Sequence, residues 1–286
     1  MTGEVSMRFF LPAPALRSAV SAYGVLRVGG EEPLEDLLQP EWAHVRLALS
    51  GGWAVRFADG TQHVTQAPAA VVTGTLSRAA AVRGSGLLVG IGLLPAGWAL
   101  LTSRSAADYV DSVHPLSALV GDAADALMAA VLPLWDDEEI PRVLDAWFLG
   151  QVAARPPVDP LLTQAHLALL DPELATVAQW ARRLARSTRQ LERVALDYFG
   201  LSPKHLLRRQ RFLRTFASIR EQPPGVWGRL IDERYADQPQ FVRDFNDFMG
   251  MSPRAYFGRR LAFMAVAGDA RKELLGAPLQ GLHELE

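Results

Sequence analysis

The chain has 286 residues, 49% of them apolar and 21% charged, and carries a formal charge of −2 with no cysteine. That is the composition of ordinary globular protein, long enough for two domains, and it excludes disulfides, thiolate metal sites and cysteine nucleophiles together. The charge is divided unevenly: residues 1–156 carry 10 Arg against 16 Asp and Glu, whereas residues 157–260 carry 17 Lys and Arg against 11 Asp and Glu. A basic second half joined to an acidic first half predicts that the second half meets a polyanion.

The opening, "MTGEVSMRFFLPAPALRSA", lacks the basic region and clean apolar run of a signal peptide. With the absent cysteines this fits a cytoplasmic protein. From about residue 20 to 94 the chain reads as short strands, "AYGVLRV", "HVRLALS", "WAVRF", "AAVVTG", "AAAVR" and "LLVGIGLL", separated by turn signals such as "SGG" and "ADG". The uncharged stretch 84–103 is interrupted by five glycines and Pro95, so it reads as a buried strand followed by a helix and not as a membrane span. Beyond Pro95 the period becomes helical: Ile140, Val143, Leu144, Trp147, Phe148 and Val152 recur at helix spacing. This amphipathic helix around 138–152 is a candidate contact for a second copy of the chain. "AARPPVDP", 153–160, reads as a linker, with Asp159 capping the next helix and Pro160 opening it.

The helical part repeats itself. At an offset of 50 residues, "FGLSP" (199–203) matches "MGMSP" (249–253). Gly200 and Gly250 supply the left-handed residue that ends a helix. Ser202 and Ser252 cap the next helix, and Pro203 and Pro253 open it without losing a hydrogen bond. Before each mark stands an amphipathic helix with a polar outer face: Ser187 caps one bearing Arg189 and Arg193 outward, and Asp237 caps one bearing Pro239, Arg243 and Asn246 outward. Shorter amphipathic helices are expected ahead of them, in "TVAQWARRL" and "VWGRLIDERY". "KHLLRRQRFLRTFASIR", 204–220, joins the units as a long helix with Leu206, Phe212, Leu213, Phe216 and Ile219 inward. Lys204, Arg208 and Arg209 on it read as solvated or phosphate-touching cations. Helix, tight turn, helix, stated twice, is the plan of two helix-turn-helix units.

"YADQPQFVRDFNDFMGMSPRAYFGRR" and "LATVAQWARRLARSTRQLERVALDYFGLSP" resemble the second and first helix-turn-helix units of the AraC/XylS family of bacterial transcription regulators. The resemblance covers about 160–260. It implies an α+β chain, with a β-rich, cupin-like sensor or association domain over 1–152, an all-α DNA-binding domain over 157–260, and a tail over 261–286. It implies base-reading positions at Arg189, Gln190, Glu192 and Arg193 in the first unit and Gln238, Gln240 and Arg243 in the second. Duplex DNA is the partner so implied, with a small-molecule effector, RNA polymerase and a second copy of the chain as further candidate partners. The sequence departs from the family pattern at Ala195 and Met249, where aromatic residues are common, and at Pro239, which removes a side chain able to donate to DNA.

The first half offers little chemistry. His44, His63 and His114 lie apart on separate elements, not in the clustered arrangement of a metal centre. Asp108, Asp111 and His114 sit close in "DYVDSVHP" with no nucleophile beside them. No cofactor, metal or catalytic group is therefore expected. Trp42, Trp53, Phe57 and Trp98 are candidate walls of an apolar ligand cavity, although four aromatics in a strand domain are usually just its core. Two rival readings remain: a non-specific architectural DNA-binding protein, and an enzyme built on a small β-barrel.

Overall fold

Alternating and β-branched stretches form the strands, and 3.6-residue periodicity takes over where they end. The computed structural model describes residues 5–220, 222, 224–259 and 262–282. The strands are β1 (Val5–Phe10), β2 (Val20–Val28), β3 (Leu34–Leu38), β4 (His44–Ala48), β5 (Gly52–Arg56), β6 (Gln62–Gln66), β7 (Ala69–Thr73), β8 (Ala80–Gly84) and β9 (Gly86–Leu93). Helix α1 (Pro95–Leu101) follows directly, then the short strand β10 (Val113–Pro115) and helices α2 (Ser117–Val120), α3 (Ala123–Val131) and α4 (Ile140–Ala153). The uncharged stretch is thus a strand and a helix, and no described helix is long and apolar enough to cross a membrane.

The strands pair antiparallel into two sheets, one ordered β1-β2-β9-β4-β7-β10 and the other β3-β8-β5-β6. Their facing sides enclose a cavity, to which β2, β4 and β9 contribute Leu26, Ala48 and Leu88, and β5 and β8 contribute Trp53, Val55 and Val82. Because side chains alternate along a strand, β4 turns His44, Arg46 and Ala48 toward this cavity while Val45 and Leu47 enter a core on the other side. That core also takes Trp98, Leu127, Leu144 and Phe148 from the helices behind the larger sheet. On α4, Ile140, Leu144 and Phe148 are buried, whereas Leu149 and Val152 are exposed, as are Leu132 and Trp135 in the segment before it, Trp135 at 94%.

The remainder is helical: α5 (Pro160–Leu170), α6 (Val177–Arg183), α7 (Thr188–Val194), which runs on as a π-turn over Ala195–Phe199, α8 (Pro203–Ile219), α9 (Gln238–Met249), α10 (Pro253–Phe257) and α11 (Ala262–Leu275). Asp159 caps α5 as its sequence predicts, accepting from Leu161 N–H at 2.9 Å. The β-rich part followed by a helical part is the α+β order expected. One expected helix differs: "VWGRLIDERY", 226–235, starts inside a 3-10 stretch, Pro224–Arg229, and then runs through turns. Pro224 and the two glycines Gly225 and Gly228 disfavour an α-helix in so short a segment. The Trp227 indole N–H, donating to the carbonyl of Gln222 at 2.9 Å, pins the tighter turn.

The helical part does not stand apart from the sheets. Trp42 packs edge-on against Phe199 and belongs to the core of the first helical unit with Trp180, Leu191 and Leu206. Leu37 belongs to that of the second, with Phe212, Phe216, Phe245 and Phe248. The backbone N–H of Ala79 donates to the carbonyl of Phe248, and the Gln39 amide donates to the Tyr256 hydroxyl.

Candidate nucleic-acid interface

Each unit is built by the same local rules. Thr176 and Gln179 form a capping box at the start of α6, and Ser187 and Gln190 form another at the start of α7. Between them the chain turns through Ala185, whose φ of +49° lies in the left-handed region, with Arg186 N–H closing the turn onto the carbonyl of Ala181. At the start of α9, Asp237 accepts from Gln240 N–H at 2.7 Å, and the Gln240 side-chain oxygen accepts from Ala236 N–H at 2.8 Å. Gly200 and Gly250 end the two segments at φ +81° and +68°. Ser202 and Ser252 then cap α8 and α10. The punctuation read from the sequence is present in both units.

The outward faces are those expected. Arg189, Gln190, Glu192 and Arg193 are exposed on α7, and Gln238 and Arg243 are exposed on α9, with Gln240 half-buried. Arg189 and Arg193 have no ion-pair partner among the described residues, whereas Arg243 lies 4.0 Å from its own cap, Asp237. The 17 residues of α8 hold the two faces apart by a rod of roughly 25 Å.

Much of the basic charge of this region is spent internally. Arg208 pairs with Asp244 at 2.7 Å and with Asp247, and Arg211 reaches Asp244 at 3.0 Å. Arg214 and Arg234 hold Asp232, Arg234 also reaches Glu173, and Arg183 pairs with Asp171. Arg209 corrects the expectation of a solvated or phosphate-touching cation. It is 1% exposed and lies over the Trp42 ring at 3.6 Å, where burial pushes its guanidinium down to about 9, still a cation at neutral pH. Its charge stitches the helical part to the sheets. The exposed cations without an ion pair among the described residues include Arg182, Arg186, Arg189, Arg193, Lys204 and Arg254, all in or beside the two units.

The four aromatic residues singled out for a ligand cavity part company. Trp53 lines the cavity between the sheets. Trp42 packs into the first helical core, Phe57 into a small cluster with Leu38 and Leu76, and Trp98 behind the larger sheet, donating to the Arg104 carbonyl at 2.9 Å. The polar end of the cavity is made by Ser21, Glu41, Arg46, Thr73 and, from α11, Arg271, which sequence reading passed over, and by His44, which it weighed only as a metal ligand. The alternation of "HVRLA" carried a signal for two of them, since it puts His44 and Arg46 on one face. Glu41 accepts from Arg46 at 2.9 Å and lies 3.3 Å from His44 Nδ1, and Arg46 donates to Thr73 Oγ1 at 2.6 Å. Burial pushes His44 down to about 4, against the attraction of Glu41, so it is neutral at pH 7. Among the described residues no three His, Cys, Asp or Glu side chains are grouped to hold a metal ion.

Residues 180–259 match the family model described as a helix-turn-helix domain. No curated protein matches the chain by sequence. Among solved structures, ToxT from Vibrio cholerae in its P21 crystal form is 10% identical over 90% of this chain and 98% of that one, with a TM-score of 0.47. ToxT from strain SCE256 with bound unsaturated fatty acid is 10% identical over 80% of this chain and 95% of that one, with a TM-score of 0.42. The AraC-like transcriptional activator CuxR is 19% identical over 69% of this chain and 77% of that one, with a TM-score of 0.30.

Proposed function

We propose, from the premise that residues 180–259 are an AraC-type helix-turn-helix domain, that the chain is a cytoplasmic transcription regulator that binds specific duplex DNA sequences and answers to a small molecule held between its sheets. The observation that carries the first part is the pair of capped helices, α7 and α9, each with an exposed polar stripe and joined by the rod of α8. A recognition helix enters the major groove by its N-terminal turn, and successive groove faces on one side of DNA lie ~34 Å apart. Arg189 and Arg193 are the base-reading pair of the first unit in this proposal, with Gln190 and Glu192 beside them. Gln238, Gln240 and Arg243 serve the second. The cations around the units that have no ion pair among the described residues attract the phosphates and fix the register. The helix around 138–152, whose Ile140, Leu144 and Phe148 pack into the chain's own core, would meet a second copy through its exposed Leu149 and Val152.

Selection from randomised duplex DNA with the full chain tests this. The expected outcome is an enriched motif with two contacted segments separated by about one helical turn. Tight binding with no enriched motif would sink sequence-specific regulation and leave the architectural reading.

A further inference from the structure

Arg271 is the unusual residue of this fold. It projects from α11, beyond both helix-turn-helix units, and α11 packs across β1 and β3 at the mouth of the cavity between the sheets. The first turn of α11 is held there by Asp36, whose Oδ2 accepts from Phe263 N–H at 2.9 Å and Met264 N–H at 3.1 Å. Phe263, Met264, Ala267 and Arg271 thereby become one wall of the cavity. Arg271 is 9% exposed and lies over the Phe9 ring at 4.9 Å, and among the described residues it has no hydrogen bond or ion pair. Glu41 attracts it from a distance and Arg220 repels it. Glu41 is already engaged by Arg46, and His44 is neutral, so among the described residues Arg271 stands at the polar end of the cavity without a counter-ion. A buried guanidinium in that position is costly unless an anion joins it.

Size and wall chemistry narrow that anion. The cavity measures about 90 Å³. An apolar cavity of ~150 Å³ is what holds benzene, so this one takes a smaller molecule, or about three waters. Leu26, Leu34, Trp53 and Val82 line the space beyond the polar end, which suits an alkyl group better than a second charge. We propose that the cavity binds a short-chain monocarboxylate of about four carbons, its carboxylate paired with Arg271 and its alkyl chain against the inner faces of the sheets. This deepens the small-molecule reading above and rests on it. Because Arg271 lies on α11, a bound carboxylate pins that helix to the sheets, and α11 follows the second helix-turn-helix unit in the chain.

The test is calorimetric titration of the full chain, without DNA, using butyrate, butyramide, octanoate and inorganic phosphate. Butyrate alone is expected to bind. Arg271→Gln is expected to weaken butyrate roughly 10- to 100-fold, as loss of a charge-assisted pair does, with Arg271→Lys recovering part of the loss. Arg271→Gln removes an unpaired buried charge, so its own melting temperature should equal or exceed that of the parent. Should that variant not fold, Ala267→Met, which fills the cavity from the same helix, should abolish butyrate binding. Equal binding of butyramide or phosphate, unchanged butyrate affinity in a folded Arg271→Gln protein, or no heat with butyrate would each overturn the proposal. The readout is independent of DNA, so a failed DNA selection and a failed titration are separate results.

Discussion

Gly200 and Gly250 occupy equivalent places at the ends of the two recognition segments, but a side chain would meet different surroundings at each. Both are left-handed, and a Cβ there costs on the order of 1 kcal/mol. At Gly250 the space beyond is open, whereas at Gly200 a Cβ would stand 2.9 Å from Val110 Cγ2 and 3.2 Å from the Ala106 carbonyl. Gly250→Ala is therefore expected to cost about 1 kcal/mol and Gly200→Ala about 2 kcal/mol or more in urea unfolding, with DNA sequence preference unchanged in both. Equal costs would show that the contact with Val110 and Ala106 is slack. His44 gives a pH signature of definite sign. Burial holds it near 4 in the folded chain, while the unfolded chain takes up its proton near 6.5. Between those values the unfolded state binds more protons, so stability is full above about 6.5 and is lost as pH falls toward 4, by about 3 kcal/mol for this residue. His205, also pushed down to about 4 by burial, acts in the same direction. His44→Asn should be less stable than the parent at pH 7 yet lose less on acidification. A parallel pair of stability curves would place the proton elsewhere.

Capping decides what the two recognition helices can offer to DNA. The Gln190 side-chain oxygen accepts from Ser187 N–H at 2.9 Å, and that of Gln240 is likewise committed to Ala236. A bidentate grip on adenine needs both the oxygen and the nitrogen of the amide, so neither glutamine can make it while its cap stands. In the proposed DNA reading, discrimination in the first unit then falls to Arg189 and Arg193, which have no ion pair among the described residues and are the side chains able to fork onto guanine. The second unit has Pro239 where the first has Arg189, and its remaining arginine is drawn toward Asp237. Arg193→Ala is expected to relax base preference in one half of the site by roughly 1–3 kcal/mol, and Arg243→Ala to weaken binding evenly across sequences. Selection from randomised DNA with both variants checks this, and the reverse assignment would mean that the second unit is the stricter reader. Caps, left-handed glycines and the inward side of α8 were legible because each depends on a few neighbouring residues. Elements fixed by distant partners were not. Strand β3 carries Glu35 and Asp36, β6 is the mostly polar "QHVTQ" at a sheet edge, and β10 has three residues. Each is a strand because a neighbour supplies its ladder.

At the scale of the whole molecule, the acidic and basic halves are one packed body, and that changes what its charges can do. Arg209 stacks on Trp42, Leu37 enters the second helical core, and Gln210 donates to the Leu169 and Gly281 carbonyls, tying the tail to the first unit. Sequence periodicity marks which residues are apolar but not which core they join, so the Trp42 contact and the Arg271 wall were invisible along the chain. The same holds for charge: a count over residues 157–260 does not separate arginines that hold the fold from those that face solvent. Binding to duplex DNA releases condensed counterions, with a salt slope of about −0.9 per phosphate neutralised. Arg186 is exposed and has no ion pair among the described residues, while Arg208 is committed to Asp244 and Asp247. Arg186→Ala should therefore reduce the slope of log affinity against log salt by about 1 and leave unfolding unchanged. Arg208→Ala should instead leave the slope in place and cost about 1 kcal/mol of stability, because Asp244 loses one of two arginines. Fluorescence anisotropy on a labelled duplex at several salt concentrations, with urea unfolding beside it, measures both. Should Arg208→Ala flatten the slope as much as Arg186→Ala does, the internal pairs open on DNA, and the basic charge of the helical half is held in reserve for phosphate.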